Sequence, residues 1–215
     1  MLPVPINFQK WVEENYDKLQ PPVNNFLLFK GNDTTVMVVG GPNQRTDYHI
    51  NETEEYFYQV KGDLLIKLVV NSEFKDLWVR EGEMFLLPGN TPHNPVRFAN
   101  TVGLVLERAR LPHHIDTLRW YCENEKCRSI VYQESFHCTD LGTQLKPIIE
   151  RFANNEELRK CKQCGTLNHT NLYLVHQCSL SPRALLRVRI IRYVQGFGRT
   201  RYDIEWNRHV VYSIL

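Results

Sequence analysis

The 215-residue sequence has no long apolar run, no internal repeat and no low-complexity segment. No stretch approaches the roughly 18 uncharged apolar residues that a membrane-spanning helix needs. The first residues, from Met1 to Asn7, lack the basic part and the continuous apolar part of a secretory signal. We therefore expect a cytoplasmic protein without a membrane partner.

An excess of charge of one sign is also absent. Lys and Arg number 26 and Asp and Glu number 24, which gives a formal net charge of +2. A near-neutral chain offers no compositional argument for binding nucleic acid or an anionic surface. Hydrophobic residues make up 42% and charged residues 23% of the chain, as in ordinary globular proteins, and the length suffices for a self-supporting core.

Charge and lysine usage change near residue 168. Residues 169–215 contain seven Arg, no Lys and two acids, a balance of +5, so residues 1–168 carry −3. Apolar residues alternate with arginines over 185–192, which predicts a strand or an amphipathic segment. Three interpretations of this atypical tail stay open: an altered gene model, an oligomerisation element, or a basic arm.

Short β-rich runs separated by Gly, Pro and Asn dominate residues 26–108, which predicts an antiparallel sandwich or barrel. Asn7 is a predicted N-cap of a short helix that ends before Pro21-Pro22, and a second helix is predicted over about 143–152. The predicted strands are 26–29, 34–39, 55–60, 64–70, 76–79, 84–87 and 102–106.

Chemistry-bearing residues concentrate between Gly41 and Glu107. In a β-structure His49 can end one strand and Glu55 begin the next, so that the two side chains converge across a hairpin, and His93 can join them from a later strand. Strand alternation places the competing Glu54 on the opposite face from Glu55. Two imidazoles and one carboxylate form the facial triad of non-haem Fe(II) sites, although the same ligands also accept Mn²⁺, Zn²⁺ or Ni²⁺.

Two sequence blocks carry a family resemblance. The first is Gly41-x5-Asp47-x-His49-x5-Glu55-x6-Gly62, and the second is Gly82-x5-Pro88-GNTP-His93-x3-Arg97. They resemble the two cupin motifs, with Asp47 where many cupins have a histidine and Arg97 where they have asparagine. The strings PPVNN, VVGGPNQRTDYH, EEYFYQVKGD and FLLPGNTPHNPVRF resemble the 3-hydroxyanthranilate 3,4-dioxygenase family over about residues 3–168.

The resemblance implies roles for individual residues. His49, Glu55 and His93 match the ligands of a catalytic Fe(II). Arg97 and Glu107 match residues that bind the carboxylate and polar edge of the substrate; a guanidinium suits a carboxylate better than an ammonium does. The remaining matches line the pocket: Asn25 and Arg45 on the substrate and oxygen side, and Phe57 as a wall.

Each of these residues also has an ordinary structural interpretation. The histidines can be buried core residues, the arginines surface ion-pair partners and Glu107 the end of a strand, while Asn25 can belong to a turn and Phe57 to the core. The presence of both histidines and Glu55 in the two blocks favours metal ligation for the histidines, while the alternatives for the other residues stay open.

Two cysteine pairs form a second candidate site. Cys122-x4-Cys127 is followed by Cys161-x2-Cys164, and four thiolates can build a tetrahedral Zn²⁺ or iron site. Members of the family carry such a site near the C-terminus, with two residues in the first pair where this sequence has four. We expect a structural second metal, and we expect Cys138 and Cys178 to be free.

These observations predict a mainly β fold: a cupin (double-stranded β-helix, or jelly-roll) barrel with flanking helices. The predicted domains are a cupin catalytic domain with an N-terminal helix over 1–115, a lobe with the four-cysteine metal site over 116–168, and the tail over 169–215. The resemblance implies an Fe(II)-dependent ring-opening dioxygenase acting on 3-hydroxyanthranilate and O₂, on the route to quinolinate and NAD, with a homodimer as a further expectation. The alternatives are a cupin dioxygenase for another aminophenol or catechol and a non-catalytic, ligand-binding cupin.

Overall fold

The structure, a computed structural model, describes residues 4–20, 25–43 and 45–170 together with the backbone of three later strands, 189–195, 199–206 and 210–214. The chain divides into two units, Met1–Leu172 and Tyr173–Leu215. None of the described helices is long and apolar enough to cross a bilayer. Cys178 lies outside the described residues.

The N-terminal segment begins with α1, Phe8–Glu14. The side chain of Asn7 accepts a hydrogen bond from the Lys10 N–H at 3.0 Å, which confirms the predicted N-cap. A 3₁₀ turn, Tyr16–Leu19, then brings Leu19 into full burial against the barrel. The contact requires Gly40, because a Cβ there would lie 2.0 Å from the carbonyl oxygen of Leu19.

Two antiparallel sheets form the body of the first unit. Their strand orders are β1-β2-β9-β4-β7 and β11-β10-β3-β8-β5-β6. The strands are β1 (Asn25–Lys30), β2 (Thr34–Gly40), β3 (Tyr48–Ile50), β4 (Glu55–Lys61), β5 (Leu64–Val70), β6 (Glu73–Val79), β7 (Met84–Leu87), β8 (His93–Arg97), β9 (Val102–Arg108), β10 (Asp116–Tyr121) and β11 (Ile130–Phe136).

The main core lies between the two sheets. Phe57 and Val105 from the first sheet pack in one cluster with Leu64 and Ile66 from the second. Burial of these apolar faces holds the sheets face to face. The predicted mainly β barrel of the cupin type is confirmed, and each of the seven predicted strands corresponds to an observed one.

A second core lies between β10 and the helix α2, Leu141–Ala153. Trp120 stacks on Phe152 with ring centroids 4.3 Å apart, and its Nε1–H donates to the hydroxyl of Thr46 at 3.1 Å. The predicted second helix is confirmed and is longer than expected. A short helix, α3 (Glu156–Arg159), follows it.

The division at residues 115 and 116 stays a prediction. It falls immediately before β10, which pairs with β3 in the six-stranded sheet. In the second unit, β12 (Arg189–Gln195), β13 (Arg199–Trp206) and β14 (Val210–Ile214) form an antiparallel sheet in that order. The strand or amphipathic segment expected over 185–192 thus overlaps β12, while 185–188 lie outside the described residues.

Candidate metal and substrate site

A cavity of about 650 Å³ opens between the two sheets. Residues of α2, among them Leu141 and Leu145, close one side of it. All of the pocket residues expected from the sequence line this cavity: Asn25, Arg45, His49, Glu55, Phe57, His93, Arg97 and Glu107.

Three buried side chains converge inside the cavity. His49 and His93 face each other on β3 and β8, and Glu55 is the first residue of β4 in the opposite sheet. One donor atom from each of the three lies within 4.8 Å of the other two. The expected hairpin between the strands of His49 and Glu55 is wrong, because β3 pairs with β8 and β10 while β4 pairs with β7 and β9.

Hydrogen bonds to Thr91 and Asp116 occupy one ring nitrogen of each histidine and leave the other on the side of the triad. Nδ1 of His93 donates to the Thr91 carbonyl at 2.9 Å, so Nε2 is the nitrogen that the neutral ring can offer to a metal. Burial alone would raise the pKa of Asp116, but hydrogen bonds with His49 and Arg110 hold it below its ordinary value, so Asp116 is a carboxylate. A carboxylate only accepts hydrogen bonds, so Nε2 of His49 is the donor in their 2.8 Å contact. The free nitrogen of His49 is therefore Nδ1. Such outer hydrogen bonds are typical of histidines that bind metals.

The electrostatics of the three groups favour a cation. Burial alone would raise the pKa of Glu55, but the nearby imidazoles of His93 and His49 hold it below its ordinary value. Its Oε2 lies 3.0 Å from Nε2 of His93, so the two donor atoms face the same point in the cavity. A buried carboxylate oxygen and two imidazole nitrogens match the donor set of non-haem Fe(II) sites, so these residues fit the expected metal.

Arg97 supplies a buried positive charge beside the triad. Only 3% of the residue is exposed, and burial lowers its pKa to about 10. Its Nη1 donates to the amide oxygen of Gln59 at 3.4 Å, and no carboxylate of the described residues lies within ion-pair distance of it. A buried guanidinium without an anionic partner is prepared for an anionic ligand.

Glu107 lies opposite Glu55 on the adjacent strand β9. Burial raises its pKa to about 7, and the charge of Glu55 adds to this effect while Arg110 opposes it. Nη1 of Arg110 donates to one carboxylate oxygen of Glu107. The cavity thus contains a carboxyl group that is held in place by an arginine.

Arg45 and Asp47 form a two-point ion pair at the wall of the cavity. Nε and Nη2 of Arg45 donate to the two carboxylate oxygens of Asp47 at 3.0 and 2.6 Å. Asp47 has no exposed side-chain surface, whereas 32% of the Arg45 side chain is exposed. The aspartate that stands where many cupins have a histidine therefore orients Arg45.

Asn25 and Phe57 occupy different parts of the lining. Asn25 is exposed at the start of β1, and its amide nitrogen lies 3.7 Å from the sulfur of Met37. Phe57 is fully buried, with its ring centroid 6.4 Å from that of His93. Phe57 consequently forms an apolar wall next to the triad.

Sequence reasoning missed four further contributors: Gln59, Arg110, Asp116 and the N-terminal half of α2. Gln59 alternates with Glu55 and Phe57 on the inward face of β4, so strand periodicity was a signal that could have identified it. Asp116 is an acid at an inward position of β10, which is unusual for a core strand. Arg110 and α2 carry no comparable sequence signal.

The four paired cysteines meet at a second place. Their sulfur atoms lie within 4.8 Å of one another, with Cys122 3.5 Å from Cys164 and Cys127 3.7 Å from Cys161. The longer first pair is accommodated by a turn in which the N–H groups of Cys127 and Arg128 both donate to the Asn124 carbonyl. Cys138 is free and buried elsewhere.

The environment of the cluster suits metal binding. A hydrogen bond with the Ser129 hydroxyl lowers the pKa of Cys161 to about 6, and hydrogen bonds with Thr166 also lower the pKa of Cys164. Burial raises the pKa of Cys122 to about 12, so Cys122 stays a neutral thiol unless a cation favours its thiolate.

Comparison with known proteins gives one consistent result. The sequence model of the 3-hydroxyanthranilic acid dioxygenase family matches residues 1–153. A 3-hydroxyanthranilate 3,4-dioxygenase of Neurospora crassa is 60% identical over 167 residues, which cover 78% of this chain and 91% of the relative. The enzyme of the same name from Scheffersomyces stipitis is 59% identical over 170 residues, covering 79% and 98%.

A solved structure is similar over a smaller part of the chain. A cupin-2 domain-containing protein from Shewanella frigidimarina superposes with a TM-score of 0.40 at 18% identity, covering 48% of this chain and 93% of that one. The fold assignment rests on the strand order of the two sheets.

Proposed function

The chain belongs to the 3-hydroxyanthranilic acid dioxygenase family, and on that premise we propose that it opens the ring of 3-hydroxyanthranilate. Both atoms of O₂ enter the substrate, the bond between C3 and C4 breaks, and 2-amino-3-carboxymuconate semialdehyde forms. One observation carries the proposal: His49, Glu55 and His93 converge in the same cavity as the unpaired guanidinium of Arg97. In the family this product leads to quinolinate and NAD.

We propose that the three converging side chains hold Fe(II). When bound, the ion supplies adjacent coordination positions for substrate and O₂ and the electron transfer between them. His49 and His93 would bind through the ring nitrogens that Asp116 and Thr91 do not occupy, and Glu55 through Oε2. Asp116 and the Thr91 carbonyl keep the two rings in the required orientation.

Arg97 would bind the carboxylate of the substrate. Its buried charge is compensated when an anion arrives, and its planar guanidinium matches a carboxylate in a two-point contact. Gln59 orients Arg97 without neutralising it, because an amide oxygen accepts a hydrogen bond and carries no net charge. The site thereby selects small aromatic acids over uncharged aminophenols and catechols.

The remaining residues would complete the substrate pocket. Arg110 fixes the position of Glu107 by donating to one of its carboxylate oxygens. Glu107 would then accept a hydrogen bond from the hydroxyl or amine of the substrate. Phe57 would pack against the aromatic ring. Arg45 and Asn25 would line the substrate and oxygen side, and Arg45 would add attraction for an anion.

We propose a structural zinc or iron ion in the cysteine cluster formed by Cys122, Cys127, Cys161 and Cys164. Four sulfurs at this spacing support a tetrahedral site, and the ion would link the turns 122–128 and 161–166. Metal analysis of the purified protein would show one further metal equivalent per chain beyond the catalytic one.

Two broader expectations also remain proposals. A homodimer through a barrel edge is supported by Met84 and Leu86, which are exposed at 65% and 53% on the edge strand β7; light scattering in solution would test it. A cytoplasmic location is supported by the free thiols of all five described cysteines. Imaging of a fluorescent fusion would test the location.

The activity itself is tested by incubating Fe(II)-loaded protein with 3-hydroxyanthranilate in air. We expect stoichiometric O₂ uptake together with the absorbance of the ring-opened product. A fully loaded protein that consumes no O₂ would contradict the proposal and favour a ligand-binding cupin. Turnover of an uncharged aminophenol at the same rate would contradict the role of Arg97.

A further inference from the structure

Arg110 lies just beyond the end of β9, and its side chain is buried between two carboxylates. Its Nε donates to both oxygens of Asp116 at 3.1 and 3.2 Å, and its Nη2 donates to one of them at 2.9 Å. Its Nη1 donates to Glu107 and to the backbone carbonyl of Arg108. Exposed fractions of the side chains are 6% for Arg110, 4% for Glu107 and 0% for Asp116.

These contacts extend to the metal side of the cavity. The same Asp116 oxygen that Nη2 of Arg110 contacts also accepts the hydrogen bond from Nε2 of His49 at 2.8 Å. A continuous chain of buried charged contacts therefore runs from Glu107 through Arg110 and Asp116 to His49. One end of this chain faces the substrate, and the other end orients a candidate metal ligand.

Arg110 is suited to hold both ends because its guanidinium is rigid and has five donors in one plane. Without it, two buried carboxylates would lose their shared cation, and Asp116 would be free to rotate away from His49. A lysine offers a point charge and cannot contact Asp116 and Glu107 with the same fixed geometry.

We propose that Arg110 is a positioning residue that couples the two halves of the site: through Asp116 it fixes the ring of His49, and through Glu107 it fixes the substrate acceptor. The identity of metal and substrate rests on the proposed function. The coupling itself is a property of the Glu107–Arg110–Asp116–His49 chain.

The test measures metal affinity as well as turnover. Fe(II) is titrated anaerobically against a chromophoric chelator for the wild type, Arg110→Met, Arg110→Lys, Asp116→Asn and the double variant Arg110→Met/Asp116→Asn. We expect Arg110→Met, which frees Asp116 to move away from His49, to weaken Fe(II) binding by up to about 10- to 100-fold, the effect of losing the outer partner of a ligand. Arg110→Lys should give an intermediate loss, and KM for 3-hydroxyanthranilate should rise in both variants.

The double variant distinguishes positioning from an independent effect. If Arg110 acts on the metal through Asp116, the two losses of affinity are not additive. The double variant should then bind Fe(II) no more weakly than whichever of Arg110→Met and Asp116→Asn has the lower affinity. The matched control is Arg151→Met, which removes an exposed arginine of α2 that pairs with Glu134. It should leave Fe(II) affinity and KM unchanged.

Three results would overturn the proposal: wild-type Fe(II) affinity in a folded Arg110→Met protein, additive losses in the double variant, or wild-type affinity and KM in Arg110→Lys. If Arg110→Met does not fold, as judged by circular dichroism, Arg110→Lys decides the question. A wild-type protein that binds Fe(II) but does not turn over would contradict the proposed function and leave the coupling intact.

Discussion

His49 and His93 lie directly opposite each other on the neighbouring strands β3 and β8, with ring centroids 5.3 Å apart. Opposite residues of antiparallel strands point to the same face of the sheet, so both imidazoles enter the cavity. A slip of one residue in this pairing would turn one imidazole to the outer face. The candidate metal site therefore depends on the register of two short strands.

The loop before β8 holds this register by packing on the loop before β4. The Asn90 N–H donates to the Asn51 carbonyl at 2.7 Å, and a Cβ on Gly89 would lie 2.3 Å from the carbonyl oxygen of Glu52. We predict that Gly89→Ala separates the loops, lowers the free energy of unfolding by about 1–3 kcal/mol and weakens Fe(II) binding. Thermal denaturation and anaerobic metal titration measure the two effects.

Gly31→Ala is the matched control for this prediction. A Cβ on Gly31 would lie 3.3 Å from the Thr34 carbonyl oxygen in an exposed turn, where a small shift relieves the contact. We expect little change in stability and none in metal affinity. Equal effects of the two substitutions would show that the Gly89 contact does not hold the site.

The triad itself gives a second prediction. His93→Ala removes one of two imidazole ligands, so turnover should fall below detection and the catalytic iron equivalent should be lost. The barrel should stay folded, since its main core consists of apolar residues from both sheets. Metal analysis, O₂ uptake and circular dichroism check the three statements.

His113→Ala is the control, because His113 is exposed on the loop between β9 and β10. It should retain full iron content and activity. Retention of iron and turnover in His93→Ala would mean that His93 is an ordinary buried histidine.

Much of the candidate site could be predicted because its residues are chemically distinctive and regularly spaced. His49, Glu55, His93 and Arg97 could be selected from two short sequence blocks, and the structure brings their side chains to one cavity. The strands of His49 and His93 were expected, but no bounds could be given for them, since β3 has only three residues and Pro95 interrupts the alternating pattern of β8.

Other features depend on contacts between distant segments. Asp116 reaches His49 only because β10 pairs with β3, which places residues 67 positions apart in hydrogen-bond contact. Leu145 lines the cavity because Trp120 and Phe152 anchor α2 against β10. Periodicity along the sequence contains no information about such pairings, so neither role could be predicted from it.

Gln59 provides a third prediction, which concerns the charge of the substrate pocket. Gln59→Glu would place a carboxylate against Arg97 and would compete with the carboxylate of the substrate. We expect KM for 3-hydroxyanthranilate to rise about 10- to 100-fold, equivalent to the ~1.5–3 kcal/mol of a charged hydrogen bond, with a smaller change in kcat. Steady-state O₂ uptake measures both constants.

The chain offers a closely matched control for this substitution. Gln133 accepts a hydrogen bond from Nε of Arg119 at 3.0 Å on an exposed part of β11. Gln133→Glu makes the same change beside an arginine that does not line the cavity, so KM should stay at the wild-type value. An unchanged KM in Gln59→Glu would argue against Arg97 as the carboxylate-binding residue.

The cysteine cluster gives a fourth prediction, which separates structural from catalytic metal. Cys161→Ser should lose one metal equivalent per chain and keep the other, because the cluster and the triad use different residues. A metal present at 100 times its Kd contributes about 2.7 kcal/mol, so Tm should fall by roughly 5–10 °C. The kcat measured well below Tm should not change.

Cys138→Ala, which alters a buried free thiol outside the cluster, should keep both metal equivalents. Loss of catalytic iron or of kcat in folded Cys161→Ser would instead tie the cluster to the reaction. Both metal equivalents in that variant would show that Cys161 is not needed to hold the second ion.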